Sequence, residues 1–325
     1  MTYYLKRLAA LAFAGVMTFC GPAGAQSDYP SRTIKILVPI PPGGAPDIAA
    51  RLLGNALSEV LGQPVVIENR TGANGNLAAD AVAKAPPDGY TLLLGADSGF
   101  VINSHVYSKL PFDPMKDLLP VASVASNQFI LSINPAVPVK TLPDFIEHAR
   151  GKNPPLAYAS GGNGSQHQLA MEMLKQRSGI NLLHVPYRGG APAATATVAG
   201  ETQVTFAGAS SAGLIDGGQM RGLAASGKHR SRRFPDLPTI GETYPGYEVE
   251  IWLGLFAPAT TPEPIITKLR NEVHALLRKP DFTSKLNVSG SLEPLILSPA
   301  EFADLIQRDY EKYGALVKGL GIKLD

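Results

Sequence analysis

Short, unbroken apolar runs alternate along this chain with longer stretches whose apolar residues recur every three or four positions. Ile34 to Val38, Val65-Val66-Ile67 and Thr91 to Gly95 are runs of the first kind, and they predict strands buried on both faces. Ile48, Leu52, Leu53, Ala56, Leu57, Val60 and Leu61 form one stripe of a helix over Asp47 to Leu61, which Gly62 ends. Leu77 to Lys84 predicts a shorter helix and Pro86-Pro87-Asp88-Gly89 a turn. The plan restarts near Phe129. Helices are predicted at Leu142 to Arg150, opened by a Thr141-x-x-Asp144 capping box, at Ser165 to Arg177 and around Ala193 to Ala199. Strands are predicted at Leu156 to Ala159, Leu182 to Val185, Val204-Thr205-Phe206 and Leu223 to Ala225. Strands alternating with helices imply parallel sheets with crossover connections.

The last third has a different texture. Glu248 to Phe256 is a long extended segment carrying the only tryptophan, Trp252. Helices follow at Pro264 to Arg278 and Pro299 to Lys318, the second opened by Ser298-Pro299-Ala300-Glu301: N-cap, proline at the first helical position and glutamate at the third. These elements are expected to pack back on the first region, so that the chain crosses between domains near Ser126 and again near Glu248. Residues 26–126 with 248–325 then form domain 1 and residues 127–247 domain 2. The predicted fold class is α/β, a two-domain architecture with two interdomain crossovers, which act as a hinge.

The first 25 residues carry an export signal. Lys6 and Arg7 precede an apolar stretch, Leu8 to Phe19, and Ala23-Gly24-Ala25 is a small-x-small cleavage site, so the mature chain is expected to start at Gln26. The apolar stretch is too short to span a bilayer. The single cysteine, Cys20, lies within it, which excludes disulfides, thiol catalysis and cysteine–metal sites from the mature protein. Lys and Arg exceed Asp and Glu by 29 to 27, and removing Lys6 and Arg7 brings the net charge from +2 to 0. A neutral chain argues against a nucleic-acid partner. The basic run Lys228-His229-Arg230-Ser231-Arg232-Arg233 is read as a solvated loop rather than a phosphate or nucleic-acid patch.

The candidate chemistry lies in matched glycine-rich turns, each between an apolar strand and a helix. Pro41-Pro42-Gly43-Gly44-Ala45-Pro46-Asp47 is the first, and Ser160-Gly161-Gly162-Asn163-Gly164-Ser165 lies about 115 residues further on. A third, Tyr187-Arg188-Gly189-Gly190-Ala191, follows. Such turns aim backbone N–H groups and a helix N-terminus at one spot, which suits a carboxylate or phosphate. No Lys-Ser or Lys-Thr follows to make a phosphate loop, and the dinucleotide fingerprint fails because His167 stands where its last glycine belongs. Asp47 either complements its helix terminus or accepts from a ligand. His167 is open between ligand contact and plain surface placement. Ala209-Ser210-Ser211-Ala212-Gly213 is a near miss for a hydrolase elbow, with His229 or His274 as the only later histidines. The six histidines show no metal-ligand spacing, and no cofactor is expected.

Taken in order, VPIPPGGAPD (Val38 to Asp47), GQPVVIENR (Gly62 to Arg70), KAPPDGYTLLL (Lys84 to Leu94), HVPYRGG (His184 to Gly190), DLPT (Asp236 to Thr239) and PGYE (Pro245 to Glu248) resemble the Bug family of solute-binding proteins from tripartite tricarboxylate transporters. The resemblance covers essentially the whole mature chain. It implies a periplasmic, type II-like Venus-flytrap protein that holds a small organic acid through backbone amides, waters and small polar side chains. It further implies membrane permease subunits as partners, or a sensor receptor if the role is signalling, and a monomer is expected. By position, the ligand-binding candidates are Pro42, Gly43, Gly44 and Asp47 in domain 1, and Ser160, Gly161, Asn163, Gly164, Ser165, Tyr187 and Gly189 in domain 2. Substituting Asp47→Ala or Gly164→Val is expected to weaken binding with little loss of fold. Relatives often carry a histidine where Gln168 stands. Here the histidine is His167, rotated roughly 100° around the helix, so its role does not transfer. Relatives also often carry Asp-Asn where Ala207-Gly208 stand, and losing that acid weakens the case for a cationic ligand.

Overall fold

A computed structural model of the chain describes residues 29–324; the predicted leader and its cleavage site lie outside the described residues. From Arg32 onward the chain is one unit built on two sheets. β1 (Ile34–Val38) buries all but Lys35. It lies between β2 (Val65–Asn69) and β3 (Thr91–Ala96), parallel to both, which explains its unbroken apolar sequence. α1 (Ala45–Leu61) turns Ala49, Ala50, Leu53 and Leu57 into the core and ends on Gly62, whose φ of 66° suits a left-handed cap. Gly54 lets this helix approach the sheet, since a Cβ there would lie 2.9 Å from Ile67. α2 (Asn76–Ala83) follows a 3-10 turn, and two short helices, α3 (Asp97–Val101) and α4 (Asn103–Val106), follow β3.

The sheet is not purely parallel. β10 (Glu250–Pro258) enters it antiparallel to β3 and to β4 (Leu118–Gln128), giving the order β11-β4-β10-β3-β1-β2 with β11 at Glu293–Pro294. The C-terminal helices α10 (Glu263–Leu277), α11 (Pro280–Gly290) and α12 (Pro299–Leu320) complete this lobe. The expected capping box of α12, Ser298 with Glu301, is formed in both directions. On α5 (Leu142–Arg150) only half of the expected box exists: Thr141 accepts from the Asp144 N–H.

The second lobe has the sheet order β7-β6-β8-β5-β9. Its strands are β5 (Ile130–Ile133), β6 (Ala157–Ser160), β7 (Leu183–Pro186), β8 (Val204–Ala207) and β9 (Arg221–Ala225). α6 (Gln166–Ser178) and α7 (Gly190–Val198) cross between the parallel strands β6, β7 and β8. α8 (Ala212–Asp216) and α9 (Ile240–Thr243) are short.

Phe129 alone separates β4 from β5, and the second connection runs from β9 to β10. Ser226 ties the two together. Its N–H donates to the Phe129 carbonyl (2.9 Å), the Phe129 N–H donates to its Oγ (3.0 Å), and that hydroxyl donates to the Val249 carbonyl (2.6 Å). Ser226 is fully buried, so all of its polar atoms depend on these partners.

Candidate functional site

The first glycine turn links β1 to α1. Gly44 caps α1 without any side-chain hydrogen bond, so the first N–H groups of the helix have no partner within it. The turn is held from beside by Asp47. Its carboxylate accepts from the Gly43 N–H (2.9 Å), from Asn69 Nδ2 (2.8 Å) and from Arg51 (3.0 Å to Nε). Asn69 also donates to the Ile40 carbonyl (3.0 Å) and accepts from Arg51 (2.9 Å). Burial works against the charged form of Asp47, but these bonds outweigh it and hold its carboxyl below the usual range. Both oxygens of Asp47 are therefore spent inside the protein. Pro42 and Gly43 stand exposed at the tip, and Gly44 is half-buried.

The second turn, between β6 and α6, is held by a neutral chain of hydrogen bonds whose direction can be read from one end. The Gly164 N–H is a donor, so the Gln168 atom it meets at 2.7 Å is Oε1. Gln168 Nε2 then faces His184 Nδ1 at 3.3 Å, which makes Nδ1 the acceptor. The proton of neutral His184 sits on Nε2 and is donated to Ser160 Oγ at 2.6 Å. Ser160 in turn donates to the Gly162 carbonyl and accepts from the Gly162 N–H, both at 3.1 Å. Burial lowers the His184 pKa, which keeps the imidazole neutral, and Tyr158 stacks on it with ring centroids 4.8 Å apart. This serine–histidine contact is not a nucleophile–base pair: the imidazole is the donor, and Ser160 is fully buried.

The same turn uses up donors that its sequence seemed to offer. Gly162 and Gly164 donate as above, the Ser165 N–H donates to the Gly162 carbonyl (3.2 Å), Tyr187 to Ser160 (2.9 Å) and Gly189 to Gly161 (3.2 Å). Ser165 caps α6 through the Gln168 N–H. Asn163 is exposed at the tip. Gly164 faces the other lobe: its φ is 70°, and a Cβ there would lie 2.9 Å from Leu324. Gly164→Val therefore disturbs the fold, contrary to expectation. Tyr187 turns its hydroxyl away to Glu201 (3.1 Å).

Of the predicted residues, the structure brings together Gly161 and Gly189, with Gly190 beside them. A Cβ on Gly161 would lie 3.4 Å from Gly189 and Gly190. α7 begins there on Gly189, again with no side-chain cap. His167, which sequence left undecided, fills the space between these glycines and packs on Phe129, ring centroids 4.4 Å apart. Among the described residues, no hydrogen bond joins the first turn to the second or third. One place where the lobes meet is Gln166, whose side-chain amide contacts Asp97, the Glu250 carbonyl (3.3 Å) and Tyr313 Oη (3.3 Å). Asp97 is fully buried, and burial with the nearby Asp309 pushes its carboxyl well above the usual range.

Residues 49–322 match the sequence profile of the tripartite tricarboxylate transporter family receptor. The chain belongs to that family. Protein BugT of Bordetella pertussis is 32% identical over 317 residues, covering 97% of this chain and 96% of its own. Two solved structures from Rhodopseudomonas palustris are similar throughout. Rpa4515, solved with adipate, has a TM-score of 0.84 and 35% identity over 91% of this chain and 99% of its own. MatC, solved with bound malate, has a TM-score of 0.77 and 32% identity over 89% of this chain and 100% of its own.

In this tricarboxylate-receptor fold a cavity of about 570 Å³ lies between the lobes, lined by Asn127, Gln128, Gly208, Glu250 and the basic run His229 to Arg233. That run is not simply solvated. Arg230 forks onto Glu242 (2.9 and 2.7 Å), Arg232 pairs with Glu293 (3.0 Å), and Arg233 meets Asp216 and Ser291. Its charges are matched, and two of its arginines reach across to the first lobe. Sequence could not pair arginines with acids up to 61 positions away. Ser211 is buried, and among the described residues no histidine bonds to it. No group of three His, Cys, Asp or Glu suited to a metal occurs among the described residues, and no helix there is long and apolar enough to cross a membrane.

Proposed function

We propose that this protein is a periplasmic solute-binding protein that captures a small organic carboxylate between its lobes and delivers it to a membrane permease, without performing chemistry. The division into residues 26–126 with 248–325 and residues 127–247, after removal of a leader over residues 1–25, belongs to this reading. The observation that carries it is the placing of uncapped helix N-termini, those of α1 and α7, in glycine turns at strand carboxyl ends on two lobes. Ligands of open α/β sheets bind beyond such strand ends, and helix N-termini favour anions. The adjacent crossovers tied by Ser226 supply the hinge. Closure is favoured by a ligand that touches both lobes only when they are closed. Family membership, with relatives solved with adipate and malate, supports a carboxylate as the cargo class.

A thermal-shift panel of mono-, di- and tricarboxylates, aromatic acids, amino acids and sugars tests the reading. An acid present at 100 times its dissociation constant adds about 2.7 kcal/mol, a rise of a few degrees. A response confined to amino acids or sugars contradicts the carboxylate class.

A further inference from the structure

We infer that His167 is the side chain through which the second lobe reads the bound carboxylate, donating an imidazole N–H to it; this rests on the carboxylate reading above. Four observations converge on it. First, the backbone N–H groups of Gly162, Gly164, Ser165 and Gly189 are spent within the turns, so the glycine-rich turn has few donors left for a ligand. Second, the imidazole lies in the space that two glycines leave open. A Cβ on Gly161 would come within 3.1 Å of its Nδ1, and one on Gly190 within 2.7 Å of its Nε2. Both glycines are thus accounted for by the ring they accommodate, and the ring stands where the β6–α6 and β7–α7 turns meet. Third, no hydrogen-bond partner for either ring nitrogen occurs among the described residues, although the residue is only half-buried. The other imidazole of these turns, His184, is bonded at both nitrogens. A polar group held so tightly by packing and left without a partner is set to meet one from outside.

Fourth, the environment fixes the form of the ring. Its neighbours, Phe129, Gly161 and Gly190, carry no charge, and packing alone holds its pKa down to about 4. At neutral pH it is an uncharged imidazole with one N–H, and no carboxylate of the protein competes for that donor. It can bond an anionic oxygen without an arginine or lysine beside it, and its contact with Phe129 sets it against the link between β4 and β5.

The test uses malate and adipate as probes with the purified protein. Calorimetric titration of wild type, His167→Leu and His167→Gln is combined with ¹⁵N spectra of the histidine rings. Loss of one N–H donor to a charged acceptor predicts affinity ~10-fold or more weaker in His167→Leu. His167→Gln, which keeps an N–H, retains affinity within about threefold by the same reasoning. In the wild type, which requires no variant to fold, the His167 ring nitrogens shift on adding the acid. Binding to wild type with unmoved His167 resonances and an unchanged His167→Leu affinity overturns this inference alone. Absence of binding by wild type to either acid, or to any other carboxylate, overturns the carboxylate reading and this inference with it.

Discussion

The two principal glycine turns occupy equivalent places, at the carboxyl ends of β1 and β6, yet they are held by opposite chemistries. The first is clamped by a charge: buried Asp47 with half-exposed Arg51, through Asn69. The second is clamped by a neutral relay, Gly164 to Gln168 to His184 to Ser160 to Gly162. The first leaves its helix terminus uncapped, with Gly43 exposed and Gly44 half-buried. The second consumes most of its donors and presents an imidazole instead. Two glycine-rich turns in equivalent places therefore differ in build, one ending in an uncapped helix terminus and the other scaffolding a side chain, and the two differ in how they fail.

The largest expected effect separates the glycines themselves. Gly164→Val forces a branched residue into a φ of 70° and against Leu324. A left-handed residue costs about 1–2 kcal/mol and overpacking about 1–3, so denaturant unfolding should show a loss of roughly 3 kcal/mol or more. Gly43→Ala has a φ of 91° but nothing within 4 Å of its Cβ, and should cost only the first of these terms.

Acid distinguishes the clamps next. His167 is depressed from about 6.5 to about 4 by packing, so the unfolded chain takes up the proton first. The stability it contributes is complete above pH 6.5 and is lost as pH falls toward 4, at most roughly 3 kcal/mol. His184 is shifted in the same direction by burial, so its protonation in acid breaks the relay as well. Asp47 is also depressed, but as a carboxylate its contribution persists until pH drops below its ordinary value near 3.8. Chemical denaturation at stepped pH should show the second turn losing protection between pH 6.5 and 4 while the first keeps it.

Cutting each clamp ranks third. His184→Leu removes one hydrogen-bond partner from Gln168 Nε2 and one from Ser160 Oγ and should cost about 1–3 kcal/mol, read as a lower unfolding midpoint. The smallest effect belongs to Arg51→Ala. Half-exposed ion pairs are worth about 1 kcal/mol or less, and the loss should shrink in 1 M salt, whereas that of His184→Leu should not.

The contrast also shows what one sequence can disclose. β1, β3 and α1 were legible because continuous burial and a helical stripe are local facts. β4 was not, since Leu118 to Gln128 mixes Pro120, Ser123, Ser126 and Asn127 into its pattern; it is a strand because β10 pairs along its length. α11 was missed for want of a strong apolar stripe. The glycine turns were visible as turns, but the reasons for individual glycines were not. Gly161 and Gly190 make room for His167, and Gly164 for Leu324, through contacts that only the fold creates. Likewise Asp47, Ser160 and Tyr187 look like ligand donors or acceptors in sequence and are engaged by Gly43, His184 and Glu201 in the structure.

Closure of the two unlike turns on one carboxylate can be followed through backbone amide resonances while adipate is titrated into the protein. Gly44 and Ala45 in the first lobe and Gly190 and Ala191 in the second should shift together, with one saturating dissociation constant. Shifts confined to one lobe, or centred on the arginine-lined cavity at residues 229–233 while both glycine turns stay unmoved, would contradict that closure.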